Sequence, residues 1–365
     1  MTERSSTRSI WGRLYHGETN IQFIPRWKTW FLVSVVVIAV GMGGLFARGL
    51  NLGIDFEGGV AWEAPAGSGS VADVRSAVEG AGLVDPTVQS LGGAQGTVIR
   101  VQAKTVKGND RTKVADAIAK ATGSKASSIS FNEVGPSWGK EITKKARNAL
   151  IVFLLVVTIY ITLRFEFRMA LATLAALVHD ILVTVGVYAV FGLPVTPATV
   201  IAFLTILGYS IYDGIVVFDR VDENAKELAK SGATTYSEMV NISMNEVLMR
   251  SLNTSITALL PIGSLLVVGS LILGATSLQE FALALFIGLL SGAYSSIFIA
   301  SPLLALLKER EPRWAALRQR LQSGTGALRP GIAMAEPVLA GADGPIVRPS
   351  ERAIQAKARK KGKRR

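Results

Sequence analysis

Six long apolar blocks dominate this chain, at residues 30–47, 149–163, 169–191, 198–218, 252–273 and 281–307. A bilayer core takes roughly 20 apolar residues per helix, so the blocks predict a polytopic α-helical membrane protein with six spans. The second block is short, and Lys145 and Arg164 extend it by snorkelling, with their stems in the apolar layer and their charges in water. Only 18% of the residues are charged, against about a quarter in soluble domains. That deficit lies in the blocks rather than being spread along the chain.

The cations sort by position. Arg4, Arg8, Arg13, Arg26 and Lys28 precede the first block and predict a cytoplasmic N-terminus. Six spans return the C-terminus to the same side, in agreement with Lys308, Arg310, Arg313, Arg318, Arg320 and the final KARKKGKRR. Arg164 and Arg168 flank a short loop on that side too. Lys140, Lys144, Lys145 and Arg147 fall beside the second span on the opposite side. Their loop is long, and long loops cross largely regardless of charge. The first block reads as an uncleaved anchor, because a long stretch precedes it and no small-x-small cleavage site follows. The net charge of +12 is therefore an orientation signal beside a lipid bilayer, and no nucleic-acid partner is expected. With no cysteine, disulfide and thiolate chemistry are excluded. Two histidines, His16 and His179, argue against a multi-histidine zinc site, and no cofactor is expected.

The expected organisation is a cytoplasmic segment (1–28), a first span (29–48), an exported domain (49–144), a five-span bundle (145–307) and a basic tail (308–365). The stretch from 323 onward is expected to be largely disordered, with anionic lipid as its simplest contact. In the exported domain, NLGIDFEGGVAWEA and TVIRVQAK alternate apolar and polar residues as half-buried strands do. VADVRSAVEGAG and NDRTKVADAIAKATG have helical spacing and end in Gly82 and Gly123, expected C-caps. TVQSLG and SSISFNEVG add two short strands. The order β-α-β-β-α-β is that of an α+β ferredoxin-like domain. It contains no nucleophile–base pair or phosphate loop, so a binding or docking module is expected.

Ionisable residues inside spans cost about 2.5–3.5 kcal/mol on insertion scales and mark function by default. His179 and Asp180 fall midway along the third span, Asp213 in the fourth and Arg250 at the opening of the fifth. Arg250 is either an interfacial anchor or a partner of Asp213. His179 and Asp180 either support a relay or pair helices by hydrogen bonds. Asp219 and Arg220 read as solvated boundary charges. A carboxylate is too short to snorkel, so Asp213 reads as a proton site. Desolvation favours its neutral form and a nearby Arg250 its charged form, so moving the helices would load and unload a proton. Tyr209, Asn253 and Thr254 are candidate supporting groups, with Ser255 and Thr257 adding polar groups to the fifth span. Gly186, Gly208 and Gly214 would allow close helix approach.

Five segments, in order, resemble the SecF family: NLGIDFEGG, VGPSWGKEITKKA, VHDILVTVG, GYSIYDGIVVFDRVDEN and MRSLNTSITALLP. These are the smaller membrane subunits of the SecDF protein-export complex, within the RND superfamily. The resemblance covers about residues 13–307 and implies an RND-like half. It implies a non-enzymatic subunit that uses the proton-motive force to assist preprotein export across the bacterial inner membrane. The implied partners are SecD, the SecYEG translocon, often YajC, and unfolded preprotein, with protons as coupling ion. The family's intramembrane acid falls on Asp213 and its fifth-span arginine on Arg250. Tyr212 and Gly214 stand where the family pattern has Asn and Thr, which would alter hydrogen bonding around Asp213. Two other readings stay open: an RND-type half-transporter for lipids or small molecules, and an intramembrane aspartyl protease using Asp180 and Asp213. Against the latter, the context of Asp213 is IYDG, and no PAL sequence occurs.

Overall fold

The computed structural model describes residues 19, 21–91, 97–104, 110–272 and 276–323. The expected N-terminal segment, apart from its last residues, and the basic tail beyond residue 323 lie outside the described residues. The elements in order are α1 (Trp27–Arg48), β1 (Asn51–Leu52), α2 (Ile54–Glu57), β2 (Gly59–Pro65), α3 (Val71–Gly80), β3 (Thr87–Leu91), β4 (Val98–Ala103), α4 (Asp110–Thr122) and β5 (Ser130–Val134). They continue with α5 (Pro136–Arg164), α6 (Phe167–Phe191), β6 (Pro194–Val195), α7 (Pro197–Ser231), α8 (Tyr236–Leu266), α9 (Thr276–Ser295), α10 (Ser301–Glu309) and α11 (Pro312–Gln322). A π-helical turn, Ser296–Ala300, joins α9 to α10 without a break.

Among the described residues, six helices are long and apolar enough to cross a membrane: α1, α5, α6, α7, α8 and the continuous α9–α10. The protein is a multi-pass membrane protein. Three of these helices exceed their apolar blocks. α5 begins at Pro136, so Lys140 to Arg147 ride on the same rod as the second span. α7 runs to Ser231 because its polar end is laced by ion pairs. Lys226 meets Asp222 at 2.7 Å, and Arg220 meets Glu223 at 2.5 Å and Glu246 of α8 at 2.7 Å. Asp219, expected at the solvated boundary, pairs with Arg164 at 3.0 Å on the surface. α8 starts at Tyr236 behind the Thr235 cap, so Arg250 lies mid-helix rather than at the opening expected for it.

Helix ends follow local chemistry. Thr196 caps α7 with Pro197 in the first turn, and Gly232 closes the helix at φ 60°. Ser70 and Asp73 form a reciprocal capping box on α3, and the Ser70 hydrogen bonds hold the Asp73 carboxyl below its ordinary value.

Between α1 and α5, strands pair in the antiparallel order β3-β4-β2-β5, with α3 and α4 packed on one face. Trp62, Val74, Val78, Ile99, Val101, Val114 and Ile118 form its core. The segment 51–64, expected as one strand, divides into β1, α2 and β2. Gly58 and Gly59 make that break with φ of 78° and 137°, which side chains disfavour. A Cβ on Gly59 would lie 2.5 Å from the Ala103 carbonyl oxygen. β1 instead pairs with β6, Asn51 opposite Pro194, tying the end of the first span to the α6–α7 loop.

In the bundle, α6, α7 and α9–α10 form the interior, while α1 and α5 turn most of their surface outward. Gly41 of α1 and Gly186 of α6 touch backbone to backbone: a Cβ on Gly41 would lie 2.6 Å from Gly186 Cα. Gly208 and Gly214 do not play that expected role. Nothing lies within 4 Å of a Cβ on Gly208, and on Gly214 only the Thr173 methyl is reached, at 4.0 Å.

Candidate functional site

Asp213 sits in the middle of α7 and is 2% exposed. Both its oxygens accept from Ser251 Oγ of α8 at 2.9 Å, and Oδ2 also accepts from Ser296 Oγ at the start of the π turn. Ser251 and Ser255 are one helical turn apart on the buried face of α8. The Tyr209 hydroxyl, one turn before Asp213, is buried and faces Ser255 without reaching hydrogen-bond geometry.

Asp180 of α6 is 1% exposed and forms a second centre. It accepts from Ser210 Oγ of α7 at 2.7 Å and from Ser291 and Ser295 Oγ of α9 at 2.8 Å each. His179 Nδ1 lies 3.2 Å from Asp180 Oδ1, and its Nε2 lies 3.1 Å from Ser34 Oγ of α1. Ser34 donates to Tyr294 OH at 3.3 Å, and Tyr294 donates to the Trp30 carbonyl at 3.0 Å. With both hydroxyl protons committed, Ser34 accepts from Nε2.

The two acids are neighbours through α9. Ser295 serves Asp180 and Ser296 serves Asp213, while Ser210 reaches Asp180 from three residues before Asp213 on α7. No hydrogen bond joins the carboxylates to each other among the described residues; each is bound by its own set of serines. Each α9 serine has a second acceptor in its own helix: Ser295 with Gly292 O and Ser296 with Ala293 O, both at 3.2 Å. A protonated carboxyl needs one acceptor instead of a donor. The serine facing it can therefore turn to its backbone carbonyl without leaving a buried hydroxyl unpaired. The π turn starts at this point, as such turns often do at functional positions.

Asp213, His179 and Asp180 thus hold buried network positions, whereas Arg250 does not meet Asp213. It lies on the exposed face of α8, and among the described residues only its backbone is engaged, the carbonyl accepting from Thr254 Oγ1 at 2.5 Å. Consecutive helical residues point about 100° apart, so turning Ser251 toward α7 turns Arg250 away. Asn253 is exposed, and the Thr254 hydroxyl is spent on its own helix. Tyr212 is 54% exposed and points away from the network it was expected to alter. Ser34, Ser210, Ser251, Ser291, Tyr294, Ser295 and Ser296 were not anticipated. The signal available for them was helical spacing of small hydroxyls inside apolar spans, as in Ser251 and Ser255 or Ser291 and Ser295.

The α/β domain grips the bundle through a second buried cluster. Arg100 of β4, 6% exposed, pairs with Glu63 of β2 at 2.6 Å and with Glu280 of α9. Glu280 also accepts from Thr196 Oγ1 at 3.0 Å. Burial opposes the guanidinium charge, but the two carboxylates outweigh it and hold Arg100 above its ordinary value. The same helix therefore carries Glu280 at the domain and Ser296 at Asp213, about 24 Å apart along the axis.

Comparison with known proteins agrees with this architecture. The family described as protein export membrane protein SecD/SecF, C-terminal, matches residues 114–310, more than half the chain. The SecD/SecF GG motif matches residues 43–60, which include Gly58 and Gly59. The chain is 43% identical to protein translocase subunit SecF of Streptomyces coelicolor, over 87% of this chain and 84% of the relative. It is 40% identical to SecF of Mycobacterium tuberculosis, over 83% and 70%. Among solved structures, it is similar to Thermus thermophilus SecDF, described as a translocon-associated membrane protein, with a TM-score of 0.71 and 32% identity. That similarity covers 80% of this chain but only 39% of the SecDF chain.

Proposed function

The chain belongs to the SecF family of Sec protein translocase auxiliary subunits, and we propose that it uses the proton-motive force, together with SecD, to assist preprotein export. The observation that carries this reading is Asp213, a carboxylate buried in mid-span whose hydroxyl partners come from two other helices. An uncompensated ion there is costly, so the group is suited to taking up a proton when the helices rearrange. Protonation removes the charge, and the Ser296 hydroxyl turns to Ala293 O. The local fit of α9 against α7 then changes. Each proton crossing the full potential supplies about 2.3 kcal/mol per 100 mV. Because α9 also carries Glu280, such a change is mechanically linked to the domain through Arg100.

On this reading both termini are cytoplasmic, the α/β domain lies outside the cell membrane, and the working assembly adds the SecYEG channel, YajC and unfolded preprotein. His179 and Asp180 support the relay through their hydrogen bonds to α1, α7 and α9. Arg250, on the outward face of α8, serves a neighbouring subunit rather than Asp213 in this chain. The test is preprotein translocation into vesicles containing the full complex, with and without a proton gradient. Asp213→Asn should assemble normally and lose the gradient-dependent part of translocation. Equal stimulation of variant and wild type would overturn the reading.

A further inference from the structure

Lys140, Lys144 and Arg147 recur at i, i+4 and i+7 along one stripe of α5. All three are exposed, and none has an ion-pair partner among the described residues; Lys145 alone is paired, with Glu141 at 2.9 Å. Directly below the stripe, a cavity of about 330 Å³ opens between α5, α6 and α7. Its wall runs from Arg147 and Ala146 past Val200 and Phe203 to Leu207 and Ile181, mostly apolar side chains with Thr143, Thr184 and Asp180 among them. From Val200 to Leu207 it follows α7 for about 10 Å.

A mostly apolar pocket under three cations that have no ion-pair partner among the described residues fits a molecule with a hydrocarbon chain and an anionic head. We propose that this cavity binds one acyl chain of an anionic phospholipid, with the headgroup phosphate held by Arg147 and Lys144. The depth suits part of an acyl chain, and the volume lies within the range of small-molecule sites. The site gives a role to the cationic cluster that stands beside the second span, on the side opposite to the cations before the first span and after the sixth. Its floor reaches Asp180 and Ile181, so a seated chain packs against the helix that carries the His179–Asp180 pair.

The test uses the full chain purified with its SecD partner in mild detergent. Native mass spectrometry compares retained phosphatidylglycerol with phosphatidylcholine of the same chain length. The wild type is expected to retain phosphatidylglycerol preferentially. Lys144→Gln with Arg147→Gln should cut that preference roughly thirtyfold, about fivefold per cation removed, while leaving phosphatidylcholine retention unchanged. Ala146→Phe, which fills the cavity and leaves the cations in place, should reduce retention of both lipids. Equal retention of the two lipids by the wild type overturns the proposal. So does an undiminished preference in the double variant, or protection of the cavity by a helix of the partner subunit instead of lipid. Thermal unfolding of each variant separates loss of the site from loss of the fold.

Discussion

Ser295 and Ser296 are consecutive residues, yet their hydroxyls bind two different carboxylates, Asp180 on α6 and Asp213 on α7. A regular helix sends neighbours about 100° apart, and the interior position of α9 places an acid on each of those bearings. One continuous helical rod thereby contacts both acids.

The serines should not be equivalent. Asp180 keeps two other serines when Ser295 is removed, whereas Asp213 keeps only Ser251 when Ser296 is removed. Ser296→Ala should therefore reduce gradient-driven translocation more than Ser295→Ala. Its stability cost should be about 1–3 kcal/mol, the range for a lost bond to a charged group. Thermal unfolding and vesicle translocation of the two variants check the order, and the reverse order would contradict it.

Arg250 and Asp213 should be energetically independent within this chain. Arg250→Met is expected to change stability by no more than about 0.5 kcal/mol, as for an exposed site. A double-mutant cycle with Asp213→Asn should give a coupling below about 0.5 kcal/mol in the isolated chain. A coupling of 1 kcal/mol or more would require a contact absent from this fold.

The Arg100 cluster should behave as a buried pair. Arg100→Met leaves Glu63 and Glu280 facing each other without their cation, which costs about 3–5 kcal/mol. Arg100→Lys should recover only part of this, because one ammonium does not reproduce a forked guanidinium between two acids. Hydrogen exchange at β4 and at the start of α9 should rise together in Arg100→Met. A rise at β4 alone would show that the cluster does not fasten the domain to the bundle.

Glycine substitutions should divide by position. Gly186→Ala forces the α1 and α6 backbones apart and should cost about 1–3 kcal/mol, as overpacking does. Gly208→Ala meets open space and should be neutral or stabilising by up to about 1 kcal/mol through helix propensity. Parallel melting curves of the two variants measure the contrast.

Much of the architecture was legible in the chain itself. Hydropathy located the six spans because a bilayer-crossing helix is a local property: its length and its internally paired backbone need no partner. Asp213 and Asp180 stood out for the same reason, since a short acid inside an apolar run is anomalous wherever it points. Helix extensions were less visible, because the polar ends of α7 and α8 hold each other through Arg220 and Glu246, residues far apart in sequence. The partners of the acids could not be assigned from the chain alone, beyond the helical spacing of small hydroxyls. Serine is neither hydrophobic nor charged, so Ser296 differs from any other small residue only once α9 is packed between α6 and α7. Arg250 shows the converse. Its charge at the opening of the fifth span suggested a partner for Asp213, but one step along a helix decided that Ser251 and not Arg250 faces the acid. The sequence determines what can enter the membrane and which charges must be satisfied there; the packing of the helices decides which side chain satisfies them.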